Sequence, residues 1–115
     1  MSAGCAVAFL SGAAAGVAGY KYYEGALEVV YESPFMETWD AALRVLDRMD
    51  LEVTNKKHDL TAGKISAMRA DNKKINLSFE YKSKEETVVN IRVGILGDER
   101  ASNTIKEEIR KELFE

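Results

Sequence analysis

Ile75, Leu77, Phe79 and Tyr81 alternate with Lys74, Asn76, Ser78 and Glu80, and Val89, Ile91, Val93 and Ile95 alternate with Asn90, Arg92 and Gly94. A period of two sends successive side chains to opposite faces of a strand. One face of the resulting sheet is apolar and must be covered, and the other can stay wet. Leu27, Val29 and Tyr31, interleaved with Glu28, Val30 and Glu32, repeat the pattern earlier in the chain.

Two helical patterns can supply the cover. Phe35, Trp39, Ala42, Leu43, Leu46 and Met49 recur at helical spacing, with Arg44, Asp47 and Arg48 largely opposite. Ser33-Pro34 precedes them, with the serine placed to cap the free N–H groups and the proline at the first helical position. Ala101, Ile105, Ile109 and Leu113 form a second stripe, introduced by Gly97 and a capping Asp98. Between the helices the pattern predicts strands over 51–58 and 64–69, a loop at 59–63, and a hairpin centred on Asp71-Asn72. Residues 82–86 read as a charged turn before the last strand.

The order is β-α-β-β-β-β-α, an α+β fold of two layers. The expected sheet has five strands, is mainly antiparallel, and carries both helices on one face. Short loops make the last four strands a meander, and the first strand is expected beside the last.

The chain has 115 residues, one cysteine and a net charge of -3. That charge argues against nucleic acid as a partner, because no surplus of Lys and Arg exists to displace counterions from phosphates. A single cysteine forms no internal disulfide.

No charged residue occurs from Met1 to Gly19, and Cys5 sits at the head of this Ala/Gly-rich run behind Ala3-Gly4. Three readings stand. Cys5 can be the cleavage and lipidation site of a bacterial lipoprotein, with residues 6–19 as a spacer. Only four residues precede it, so this reading needs a longer start or a trimmed signal. Ser2 also stands where a lipobox usually has Leu. Residues 3–20 can instead be a short membrane helix, in which Gly12 and Gly16 have G-x-x-x-G spacing. The third reading is a plain tail with an inert thiol. Residues 1–23 are thus taken as a lipidated or membrane-proximal segment and 24–115 as a single domain. Tyr20, Tyr22 and Tyr23 either favour a headgroup zone or cover the edge of the fold.

No reactive constellation stands out, so neither an enzyme nor a cofactor is expected. His58 is the sole histidine, and no H-x-x-x-H or C-x-x-C pattern exists to hold a metal. It reads as a solvated strand-end residue. Asp98-Glu99 favours the positive end of a helix dipole rather than acid/base work. Gly94 and Gly97 fit no phosphate loop and suit a bulge and a helix-entry turn. Lys56, Lys57, Lys64, Lys82 and Lys84 gather toward one sheet end, where Asp59, Glu80, Glu85 and Glu86 offset them. A pocket between sheet and helices, lined by Trp39, Leu43, Phe79 and Ile91, would suit a lipid or small-molecule carrier.

Three passages resemble a known family. They are Cys5 with the Ala/Gly run and Tyr20-Lys21-Tyr22; residues 52–65; and Ile91-Arg92-Val93-Gly94-Ile95-Leu96-Gly97-Asp98 with Ser102 and Ile105. The chain resembles small bacterial lipoproteins carrying domain of unknown function 3568. Leu96 stands where members usually carry an aromatic. The resemblance implies an exported, lipid-anchored protein. Cys5, the spacer and the lack of a reactive constellation lead to the expectation of a structural or interaction module of the bacterial cell envelope, anchored to the membrane through Cys5, facing the periplasm and meeting an envelope protein or wall partner. Ala6 after the cysteine, by analogy with lipoproteins of enteric bacteria, permits transfer to the outer membrane. The resemblance implies no catalytic residue.

Overall fold

The computed structural model describes residues 16–115. Cys5, Gly12 and most of the expected spacer lie outside the described residues. The strands are β1 (Val17–Tyr23), β2 (Ala26–Tyr31), β3 (Glu52–His58), β4 (Ala62–Met68), β5 (Lys74–Ser83) and β6 (Glu86–Val93). The helices are α1 (Phe35–Arg48), between β2 and β3, and α2 (Glu99–Phe114) after β6.

All six strands join one antiparallel sheet in the order β1-β2-β6-β5-β4-β3. The meander of the last four strands and the pairing of β2 with β6 match the sequence expectation. The strand count does not: the sheet has six strands rather than five. The extra strand, β1, is built from residues 17–23, which sequence reasoning placed in the membrane-proximal segment. Its pairing with β2 runs from Val17 opposite Tyr31 to Tyr23 opposite Ala26. Val17–Tyr20, the end of the span read as a possible membrane helix, is therefore strand. Among the described residues no helix is long and apolar enough to cross a membrane.

Both helices pack on one face, α1 over β3, β5 and β6, and α2 over β2 and β6. Leu27, Val29, Ile65, Leu77, Val89 and Ile91 from the sheet meet Trp39, Val45, Leu46, Ile105 and Ile109 from the helices in one core. Burying each large aliphatic side chain contributes about 1.5–3 kcal/mol. The two helices are laced together at the surface, where Glu112 receives Arg44 and Arg48, each at 2.7 Å.

The start of α1 departs from expectation. The cap position falls on Pro34 and no side chain caps the helix. The Ser33 hydroxyl is buried without a hydrogen-bond partner among the described residues. Its carbonyl oxygen instead accepts from the Thr87 hydroxyl at 2.8 Å, while Thr38 Oγ1 donates to the Pro34 carbonyl at 2.9 Å. Ser33 thus joins α1 to β6 through its backbone.

The 71–72 hairpin has one residue of positive φ, Asn72, rather than two. Asn72 N–H donates to the Arg69 carbonyl at 2.8 Å, and Arg69 N–H to the Lys73 carbonyl at 3.0 Å. That pattern is a type I turn followed by a left-handed residue, a three-residue hairpin loop.

β6 stops at Val93 because Gly94 adopts φ 77° and its N–H turns to the Lys74 carbonyl. Ile95, expected to continue the apolar face, is instead 89% exposed.

Candidate functional site

The sheet has two ends, and they differ in chemistry. Gly16 enters at the end where Tyr31 faces Thr87, its carbonyl accepting from Glu32 N–H, with the Phe114 ring against it. Pairings Ala62–Glu80 and Ser83–Glu86 put the β3–β4 and β5–β6 turns at this same entry end. Lys56, Lys57, Lys64, Lys82 and Lys84 lie toward it, mixed with Asp59, Glu80, Glu85 and Glu86, as the sequence suggested.

His58 is also here. It is exposed as expected, yet its ring lies 4.8 Å from Trp39 and 6.1 Å from Phe35, centre to centre. Asp59 is occupied by its own turn: Oδ1 accepts the N–H groups of Thr61 and Ala62 at 2.8 and 2.9 Å. Those hydrogen bonds hold its carboxyl below the usual range.

The far end is built differently. α1 ends in a left-handed residue, Asp50 (φ 59°), with Leu51 N–H donating to the Leu46 carbonyl at 2.9 Å and Asp50 N–H to Asp47 at 3.1 Å. This closure satisfies the last carbonyls and folds Leu51 beneath the helix. Asp98 caps α2, its Oδ1 accepting from Ala101 N–H at 3.0 Å. That bond, with Lys73 and Arg69 nearby, lowers its pKa. The capping role expected for Asp98 is what the geometry shows.

A cleft of about 340 Å³ opens between the end of α1, the start of α2 and the sheet. Met49, Leu51, Ile75, Val93, Ala101 and Ile105 form its apolar wall, and Arg69, Asp98, Arg100 and Thr104 its rim. Arg69 is held by Asp71 through contacts of 3.1 and 2.8 Å. Together with the Lys73 N–H, Arg69 lowers the Asp71 pKa to about 2. A neighbouring hollow shares Val93 and Asp98 with the cleft and adds Ile95 and Leu96, which are 89% and 92% exposed.

The 94–97 loop is held from below. Arg92 Nη1 donates to the Ile95 carbonyl at 3.0 Å, and Nη2 to the Glu24 carbonyl in the β1–β2 turn at 2.6 Å. Gly97 (φ 87°) rests on Gly25 and the Tyr22 hydroxyl so closely that a side chain there has no room.

The four residues expected to line a pocket come together, but as packed core. Trp39 and Phe79 rings lie 5.0 Å apart, Ile91 is buried in the same cluster and Leu43 packs on its side. The cleft lies elsewhere, on residues that sequence reasoning did not select. Cys5 lies outside the described residues. Among those residues, no three His, Cys, Asp or Glu side chains gather as a metal site would require.

The family model for a protein of unknown function (DUF3568) matches residues 1–112. The chain belongs to this family. No curated protein matches it. Within this DUF3568 chain, residues 91–98, the last of the three resembling passages, build the end of β6, the Arg92 staple, the exposed loop and the α2 cap. Residues 52–65 form β3, its turn and the start of β4. The match also takes in the segment before the sheet, including Cys5.

Proposed function

We propose that this DUF3568 protein is a lipid-anchored module of the bacterial cell envelope. Cys5 carries the acyl groups, and the α+β domain acts as a non-catalytic binding unit facing the periplasm. The observation that carries this reading is the polarity of the domain. Gly16 enters the sheet at one end, while the apolar cleft and exposed Ile95 and Leu96 lie at the other. An anchor at Cys5 would leave only residues 6–16 between lipid and sheet, a span of at most about 40 Å. The entry end, with Lys57, Lys64, Lys82 and Lys84, would then face the membrane, and the cleft would point toward partners. Dual acylation holds such a domain stably, whereas one chain does not.

The test compares wild type with Cys5→Ala in a bacterial host. Palmitate labelling and membrane fractionation should mark the wild type alone, and globomycin should block its processing. Equal labelling and fractionation of the two would refute the anchor.

A second reading, carriage of a small molecule, is favoured by one observation: the cleft of about 340 Å³ reaches the size of small-molecule sites, roughly 300–1,000 Å³. It does so away from Trp39, Leu43, Phe79 and Ile91.

A further inference from the structure

Two large apolar side chains stand clear of the domain at its far end. Ile95 is 89% and Leu96 92% exposed, so neither serves the core. Yet the loop that carries them is fixed on both flanks. On one flank Gly94 N–H donates to the Lys74 carbonyl at 2.7 Å. On the other Gly97 packs on Gly25, and Arg92 ties the loop to the β1–β2 turn through the Ile95 and Glu24 carbonyls. Glu24 is itself held at φ 50°, a left-handed conformation that is costly for a residue other than glycine. An apolar pair on a loop already ordered loses little freedom when it is covered, and this favours association.

The charges beside the pair are sorted by flank. Arg69 pairs with Asp71 at 2.8 Å and Lys73 with Asp98 at 3.8 Å, while the Arg92 guanidinium is taken up by its two carbonyls. Among the described residues, Lys74 on the Gly94 flank and Glu24 on the Gly97 flank form no ion pair. Asp50, Glu52, Glu99 and Arg100 carry further charges at this end, but outside the hollow that borders the pair. Both signs are therefore present, so the end favours neither a polyanion nor a charged lipid surface. A surface that binds its own copy must be complementary to itself. Here a two-fold axis through Ile95 and Leu96 exchanges the flanks and brings the free acid of one copy to the free base of the other.

We propose that the far end docks a second copy of this chain, Ile95 and Leu96 of each copy packing against the same pair of the other, with Glu24 of each facing Lys74 of the other. The hollow bounded by residues 71–74 and 93–98 seats the incoming side chains. The apolar pair supplies the desolvated centre of the contact, and the two Glu24–Lys74 pairs lie at its rim, where they set the register. With up to about 40 Å of chain between anchor and sheet, two copies on one membrane can bring their far ends together. The inference rests on the binding-unit reading and names the partner; it does not depend on the anchor at Cys5.

The test measures the mass of the full 115-residue chain by sedimentation equilibrium, with a reductant present so that Cys5 cannot cross-link copies. The weight-average mass should climb from that of one chain toward that of two over about 10–500 μM, as a small interface gives. In 15N spectra the amides of residues 24–25 and 94–97 should shift with concentration, and those of Lys57 and Thr61 should not. Leu96→Glu, at a fully accessible position, should weaken association at least about tenfold while the circular dichroism stays that of wild type. Glu24→Lys and Lys74→Glu should each weaken it about three- to tenfold. A mixture of these two variants should associate as wild type does, because each presents the charge that the other lacks. A monomer at every concentration would overturn the proposal, and so would association that Leu96→Glu leaves intact. Weakening in both charge variants without recovery on mixing would overturn the two-fold pairing. None of these outcomes moves palmitate labelling at Cys5, so the pairing and the anchor fail separately.

Discussion

The ammonium of Lys106 lies 3.7 Å from the ring centre of Tyr20. Lys106 is on α2 and Tyr20 on β1, so the contact ties the edge strand to the layer that covers the core. The Lys106 side chain is only 8% exposed, and its carbonyl accepts the Tyr31 hydroxyl at 2.8 Å. The aliphatic stem is therefore packed while the charge finds the π face of an otherwise exposed ring.

This pairing should be measurable by a double-mutant cycle. Tyr20→Ala and Lys106→Met should show a coupling of about 0.5–1 kcal/mol in urea unfolding. Hydrogen exchange should speed up at β1 amides in either variant and stay slow in β5 and β6. A coupling within error of zero would mean that the backbone ladder alone holds β1.

The edge strand was hidden in the sequence for a physical reason. Ala18 and Gly19 offer no apolar contrast, and only Val17 and Tyr22 of β1 are half-buried. Strands β2, β4, β5 and β6 announced themselves because each buries alternate residues, as in Ile75, Leu77 and Phe79, whereas β3 has only Val53 half-buried. Ile95 misled by the same rule: the alternation ran on through it, but Gly94 had already turned the backbone. The cleft was not legible because its wall is assembled from separate segments, at Met49–Leu51, Ile75, Val93 and Ala101–Ile105. The aromatic residues around Trp39 looked like a pocket and instead close on one another.

Arg92 should govern the order of the far end. Its two donors, at 3.0 and 2.6 Å, reach carbonyls on two different loops. Arg92→Leu removes both bonds and should lower stability by about 1 kcal/mol. NMR relaxation should then show greater mobility at residues 94–97 than in the wild type, with little change in β4 or β5. Unchanged relaxation there would show that Gly97 packing on Gly25 is sufficient.

Stability should fall at both extremes of pH, for different groups. Asp71 has a folded pKa of about 2, below its ordinary 3.8, because Arg69 and the Lys73 N–H hold the charged form. A depressed folded pKa gives stability that is present above the unfolded value and lost as pH falls through the folded one. The loss for Asp71 should therefore run between about pH 4 and pH 2. Asp59, Asp98 and Glu112 are shifted the same way. Tyr31 is opposite: burial, with Glu107 nearby, raises its hydroxyl well above 10.0. Its contribution is complete below about pH 10 and lost above it, as the unfolded phenol ionises first. Urea midpoints against pH should show a shallower acid limb for Asp71→Asn and a shallower alkaline limb for Tyr31→Phe. Profiles parallel to wild type would remove these groups from the account.

The packing of Trp39 should depend on the absence of a side chain at Gly63. A Cβ there would sit 2.7 Å from the Trp39 ring and 2.8 Å from the His58 Cβ. The ring cannot withdraw easily, because it is 4% exposed and abuts Phe79 and Phe35. Gly63→Ala should therefore overpack the core and cost about 1–3 kcal/mol. At Gly19 a Cβ meets nothing within 4 Å among the described residues. Gly19→Ala should thus be neutral or stabilising by up to about 1 kcal/mol, through loss of unfolded-state freedom. Trp39 is the sole tryptophan, so its fluorescence reports the site directly. Emission should shift in Gly63→Ala and not in Gly19→Ala. Matching emission and equal urea midpoints in the two variants would show that the ring and β3 yield at little cost, and that this corner of the core is loosely packed.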